Sequence, residues 1–197
     1  MGDIKSAREI AMEKISKLGE PTEEERLQWK YNPEGEKLAA RYLKNIFDLP
    51  AELGKYDKSA SRVIGKSASG VLIKNINIPK NDNDKKINKI AMDGVKVLKN
   101  DKAGTEAALN QIRHIFNHYS EQGEQQRKQA YAALKNDFQA KLEQALRQQM
   151  GGNMSGVRID IEKQPQFQEE WRKLKLQLDS QYLTLLDEYK QELDAID

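Results

Sequence analysis

Three groups of residues in this sequence have side chains at spacings that chemistry can use. The run Ala60-Ser61-Arg62-Val63-Ile64-Gly65-Lys66-Ser67 fits a relaxed phosphate-binding loop, with Ala in the first glycine position. In such a loop the backbone cradles phosphate, the Lys reaches the terminal oxygens and the Ser binds magnesium. The loop also needs a buried strand before it and a helix after it. Lys55-Tyr56-Asp57-Lys58-Ser59 and Ala68-Ser69-Gly70 provide neither. His114 and His118, the two histidines of the chain, stand four apart, so on a helix both rings share one face with Glu121. Ile115, Phe116 and Asn117 lie between them, and the general-base Glu of a zinc-protease helix is missing. The pair therefore reads as polar residues beside an apolar seam, and neither a metal nor a cofactor is expected.

The third group is basic. Residues 55–102 carry 12 Lys and Arg against 5 Asp and Glu, a net of +7, between ends of net −2 (residues 1–54) and −3 (residues 103–197). Lys66, Lys74, Lys80, Lys85, Lys86 and Lys89 could form a patch for nucleic acid or another polyanion. Only Tyr56 accompanies them as a stacking ring, and no recognition-helix pattern is present. Adjacent carboxylates such as Glu169 and Glu170, or Asp187 and Glu188, diverge on a helix and act as solvated charge, with Glu169 and Lys173 at favourable neighbour spacing. No nucleophile stands beside a base. Nucleotide hydrolysis at Lys66 is the one reaction left to test, and no enzymatic activity is expected.

The elements that position these groups are helical. The apolar residues Phe167, Trp171, Leu174, Leu178, Tyr182, Leu185, Tyr189, Leu193 and Ile196 follow steps of four, three and four. That is an eleven-residue repeat, about 3.67 residues per turn, which holds the stripe on one face of a nearly straight helix. Such a helix must lay its stripe on another. Leu109, Ile112, Phe116 and Tyr119, then Tyr131, Leu134, Phe138, Leu142, Leu146 and Met150, mark a long partner from about Thr105, with Gly123 its weak point. Gly151-Gly152-Asn153 stops it, and the last helix folds back antiparallel. The seam residues expected to carry interaction are Phe138, Leu142, Trp171, Leu178, Tyr182 and Tyr189.

Upstream, Asp3 caps a helix with Ile4, Ala7, Ala11, Ile15 and Leu18 on one face, and Thr22-Glu23-Glu24-Glu25 opens a second. Asn32-Pro33 breaks that one and starts a third through Phe47, and Trp29 is expected in the core. Lys55–Gly70 reads as a mobile loop. Val71, Ile73, Ile76 and Ile78 suggest a short strand ended by Pro79, and Val157, Ile159 and Ile161 another. A helix through Ile87, Ile90, Ala91, Val95 and Leu98 follows a cluster of caps at Asn81–Asp84.

The fold class expected is mostly α, with one or two short strands. Residues 1–54 form a small helical element, 55–102 a basic connector and 103–197 a long-helix hairpin. The 197 residues are 38% hydrophobic and 32% charged, with mean hydropathy −0.85, which suits long helices with wet faces better than a thick core. Cysteine is absent, the N-terminal run lacks a signal-peptide pattern, and no apolar stretch reaches the ~18–20 residues of a membrane span, so a cytoplasmic protein is expected.

Ser6-Ala7-Arg8-Glu9-Ile10-Ala11, Gly19, Thr22-Glu23-Glu24-Glu25-Arg26 and Tyr31-Asn32-Pro33-Glu34-Gly35-Glu36-Lys37-Leu38-Ala39 together resemble a family of uncharacterised bacterial proteins of similar length, mainly over the first ~45 residues. The resemblance implies a prokaryotic cytosolic source and no activity. The function expected from the residues is a non-enzymatic scaffold or adaptor. It would act through the hairpin as a homo-oligomer or on a protein partner; the alternative is polyanion binding by residues 55–102.

Overall fold

A computed structural model describes residues 21–150 and 160–197. Among these the chain is almost wholly helical and contains no strand. Its elements are α1 (Glu23–Lys44), α2 (Leu49–Leu53), α3 (Lys58–Lys74), α4 (Asp82–Leu98), α5 (Lys102–His118), a π-turn (Tyr119–Gly123), α6 (Glu124–Met150), a 3-10 turn (Ile161–Lys163) and α7 (Pro165–Ala195). They group into two compact units. One draws on residues up to 75 and on 90–100, the other on 76–89 and 101–197, so α4 contributes to both.

In the first unit α1 opens with a capping box: Thr22 Oγ1 accepts from the Glu25 N–H, and the Glu25 carboxylate accepts from the Thr22 N–H. Thr22→Ala should lower the stability of this unit by about 0.5–2 kcal/mol, read as a shift in its denaturation midpoint. The helix does not break at Pro33. A proline inside a helix removes one ladder bond, but Pro33 is on the solvent-exposed side, where the released carbonyl need not be buried unpaired. Trp29, expected in the core, lies on the same wet face at 68% exposure.

The segment expected to be a mobile loop is helix α3. Asp57 caps it, accepting from the N–H groups of Ser59 and Ala60, each at 2.9 Å. Its inward positions Ala60, Ile64, Ala68 and Leu72 recur every four residues and are fully buried. Two of the four are alanine, so the periodicity shows little hydrophobic contrast; the small side chains let α3 lie close against α1. The approach is tightest at Gly35, where Ser67 Oγ also donates to the Asn32 carbonyl at 2.9 Å. Tyr42 and Leu72 enclose Gly94, and Ala91, Met92 and Val95 complete this core.

Neither expected strand is present among the described residues. Val71 and Ile73 lie in the last turn of α3, while Ile76 and Ile78 are buried in the link to α4. There the Asn88 side chain replaces a strand partner: Oδ1 accepts from the Asn77 N–H at 2.8 Å and Nδ2 donates to its carbonyl at 2.6 Å. Ile161 belongs to the 3-10 turn, and Val157 and Ile159 lie outside the described residues. So do the helix expected from Asp3 and the stop at Gly151-Gly152.

In the second unit α5, the π-turn and α6 follow one another without a non-helical residue, and α7 packs against all three. Asp101 caps α5 through the Gly104 N–H, and its own N–H donates to the Asp197 carbonyl at 3.1 Å. Thr105, Leu109 and Ile112 of α5 are buried, as are Leu186 and Leu193 of α7. The partners of α7 fall in number as α7 itself rises: Phe138 meets Phe167, Tyr131 meets Trp171, Arg127 meets Asp179 and His118 meets Tyr182.

The seam of α7 departs from the eleven-residue stripe. Asp179, Tyr182, Leu186, Tyr189 and Leu193 face inward in steps of three and four, a seven-residue rhythm. Leu186 is therefore buried, and Leu185, expected in the seam, is 44% exposed on its flank.

Candidate functional site

The strongest concentration of polar chemistry inside the second unit surrounds the π-turn. A π-turn inserts an extra residue into a helix, and such turns recur at functional sites. Here the insertion brings Tyr119 and Gly123 to the buried side. Gly123 is closely surrounded: a Cβ would stand 3.0 Å from the Tyr182 hydroxyl and 3.1 Å from Arg127 Nη1, so one of those side chains would have to shift by a few tenths of an ångström.

Arg127 is the hub. Its Nη2 donates to the Tyr119 carbonyl at 3.1 Å and its Nη1 lies 3.3 Å from Asp179 Oδ1. The guanidinium carbon also sits 3.9 Å from the centre of the Tyr119 ring, a close cation–π stack. The ion pair is nearly dry, with side-chain exposures of 15% for Arg127 and 11% for Asp179. Asp179 Oδ2 accepts from the Tyr119 hydroxyl at 3.5 Å, at the outer limit of a hydrogen bond. The Tyr182 ring stands edge-on to Tyr119, centroids 5.2 Å apart, and its hydroxyl shares a 2.8 Å hydrogen bond with His118 Nδ1. Beyond this cluster Tyr131, Trp171, Phe138 and Phe167 form a run of edge-to-face aromatic pairs 5.0–5.5 Å apart.

Burial, and next the carboxylate of Asp179, push the Tyr119 hydroxyl above the ordinary tyrosine range, an effect the Arg127 charge partly offsets. The folded chain thus favours the neutral phenol. Its contribution to stability is complete below the unfolded tyrosine pKa of ~10 and is lost as pH rises through the higher folded value. Asp179→Asn should move the Tyr119 titration toward lower pH, measured from tyrosinate absorbance in a chain whose other tyrosines are assigned by substitution to Phe.

A family model described as a family of unknown function, DUF6657, matches residues 50–195. The chain belongs to that family. The match takes in the whole π-turn cluster and leaves out nearly all of the N-terminal stretch on which the bacterial resemblance rests; what it supports is an uncharacterised family. No curated protein and no solved structure matches the chain.

In this DUF6657 chain the residues marked for chemistry are dispersed. Ala60–Ser67 runs from the first turn of α3 into its middle; the Ala60 N–H is taken by the Asp57 cap and the Ser61 N–H by the Asp57 carbonyl, with the rest in the helix ladder, so the run cannot cradle a phosphate. Lys66 and Lys74 are exposed on α3 in the first unit, whereas Lys80, Lys85, Lys86 and Lys89 are exposed on residues of the second. Lys85 pairs with Asp82 at 2.9 Å. His114 is exposed while His118 is tied to Tyr182, and among the described residues no three His, Asp or Glu side chains converge on a metal position. Of the interaction seam, Tyr182 is buried and Phe138, Leu142, Trp171, Leu178 and Tyr189 are half-buried.

Sequence reasoning missed Arg127 and Asp179. A signal was present, because Asp179 precedes Tyr182 by three and Leu186 by seven and so falls at a core position that a lone carboxylate cannot occupy. Beside the cluster α5, the π-turn, α6 and α7 frame an open groove of about 830 Å³. Its floor is Ile115, Leu174, Leu178 and Leu185, and its rim is rich in amides, among them Gln122, Gln126, Gln177 and Gln181. His114, His118 and Glu121 also line it, so the groove sets apolar side chains beside amides, imidazoles and one carboxylate.

Proposed function

We propose that this chain is a non-enzymatic interaction protein whose working part is an antiparallel helical hairpin within residues 103–197, acting as a scaffold or adaptor arm. The observation that carries the reading is the width of the apolar face on α7. Leu176 and Leu183 remain 61% and 49% exposed on one side of the buried line, and Leu185 remains 44% exposed on the other. A two-helix arm covers each seam from one direction only, so leucines on both flanks are left for a partner. The descending order of contacts along α7 supports the antiparallel arrangement, and the Arg127–Asp179 pair supports a fixed register between the helices. The π-turn cluster supports a mechanical role, since Arg127, Asp179, Tyr119, Tyr182 and His118 are bonded to one another. Among the described residues no helix is long and apolar enough to cross a membrane.

Size-exclusion chromatography with light scattering, recorded at 260 and 280 nm, tests this reading against the polyanion alternative. Nucleic-acid-free protein, with no retention of duplex DNA or RNA at low salt, is expected. Excess 260 nm absorbance that salt removes, and that is lost when Lys85, Lys86 and Lys89 are changed to Glu, would overturn it.

A further inference from the structure

We propose that the outward flank of α7 is a self-complementary surface that pairs antiparallel with the same flank of a second copy of this chain. The inference rests on the reading of the arm as an interaction element, and it names the partner.

The flank is read from residues at helical neighbour spacing: Arg172, Leu176, Ser180, Leu183 and Asp187, all exposed. These positions fall within one narrow stripe of α7, about a quarter turn from the buried line through Asp179, Tyr182 and Leu186. Their order is symmetric in apolarity and antisymmetric in charge about the midpoint between residues 179 and 180. Leu176 and Leu183 lie 3.5 residues either side of it, and Arg172 and Asp187 lie 7.5 residues either side. An antiparallel two-fold through that midpoint therefore sets Leu176 against the second copy's Leu183, and Arg172 against its Asp187. The operation repeats each contact, as an isologous interface requires. In a parallel pairing each residue would meet its own counterpart, Arg172 against Arg172 and Asp187 against Asp187, so the charges select the antiparallel register.

The centre of the flank also suits close approach. Ser180 is small, and its hydroxyl is already satisfied, donating to the Gln177 carbonyl at 2.7 Å. Covering it leaves no donor stranded. Thr184 at the edge is satisfied in the same way, donating to the Ser180 carbonyl at 3.1 Å. Leu176 and Leu183 are two of the three leucines of this chain most open to water among the described residues, and each would cover the other's counterpart.

Charge exchange in the full-length chain, followed by sedimentation equilibrium at low salt, tests the proposal. Wild type should associate to a dimer. Arg172→Asp places two acids opposite one another at each end, and Asp187→Arg two bases; each alone should weaken the dimer by about tenfold or more. The double exchange R172D/D187R restores both pairs and should recover wild-type affinity. So should an equimolar mixture of the two single variants, which forms a heterodimer with both charge pairs attractive. Both substituted positions are exposed, and circular dichroism melting of each variant checks that the fold is unchanged. A wild type that stays monomeric at its solubility limit, single variants that dimerise like wild type, or a mixture that fails to recover would each overturn the antiparallel self-pairing. None of those results brings nucleic acid onto the chain, so loss of this inference is distinct from loss of the scaffold reading.

Discussion

Asp179→Ala should destabilise the second unit by about 3–5 kcal/mol, the range for removing one partner from a buried ion pair. The physical reason is the fate of Arg127. Its guanidinium would keep the Tyr119 carbonyl and ring but would lose the carboxylate it pairs with, at a side-chain exposure of 15%. A positive charge left in that position has little water around it to replace the lost carboxylate. The loss should be read by urea unfolding with Trp171 fluorescence as probe, because Trp171 stacks edge-on against Tyr131 in the same unit. Trp29→Phe removes the other tryptophan, which is exposed and in the other unit. The pair variant R127M/D179L supplies the contrast. With both charges replaced by apolar groups of similar size, no orphan remains, and stability should return to near wild type or exceed it. If D179A and the pair variant were equally destabilised, packing rather than charge would govern the site.

The legibility of this chain follows from where hydrophobic contrast is strong. In α5–α7 large apolar residues alternate with Gln, Glu and Lys, so both long helices and the inward face of Phe167, Trp171, Tyr182 and Leu193 were readable from spacing alone. What spacing does not resolve is the small rotation, about 20° per heptad, between a seven-residue repeat and a straight helix. Over the second half of α7 that difference moves Leu185 out to the flank and brings Asp179 into the seam. The site is hidden because Arg127 and Asp179 are 52 residues apart: spacing marks Asp179 as a core position but does not name its partner. By propensity Gly123 is a weak point for a helix, yet its missing side chain leaves room for the Tyr182 hydroxyl beside the π-turn. In α3 the error has a different origin. Ser, Gly and Lys are loop formers by composition, but Ala60, Ile64, Ala68 and Leu72 place a narrow apolar line between them, and a tertiary partner overrides weak propensity.

That partner gives the second large effect. Gly35→Ala should destabilise the first unit by about 1–3 kcal/mol or more, although alanine is the better helix former by ~1 kcal/mol. An added Cβ at residue 35 would sit 2.5 Å from the Ile64 carbonyl oxygen and 2.6 Å from Ser67 Cβ. Neither is the end of a flexible side chain, so the clash is relieved only by moving α1 away from α3. Movement there also stretches the 2.9 Å bond from Ser67 Oγ to the Asn32 carbonyl and loosens Ala39 and Ala68, both fully buried. Gly65→Ala is the matched control, on the partner helix of the same pair. Its Cβ would meet Leu53 Cδ1 at 3.6 Å, an ordinary contact, so the gain in helix propensity should survive as about 0.5–1 kcal/mol of added stability. Hydrogen exchange over residues 23–44 and 58–74 distinguishes the two, with faster exchange expected in G35A and slower in G65A. Opposite signs for the same chemical change on facing helices would show that close helix approach, and not glycine's intrinsic flexibility, is what residue 35 provides; equal signs would remove that account of the α1–α3 core.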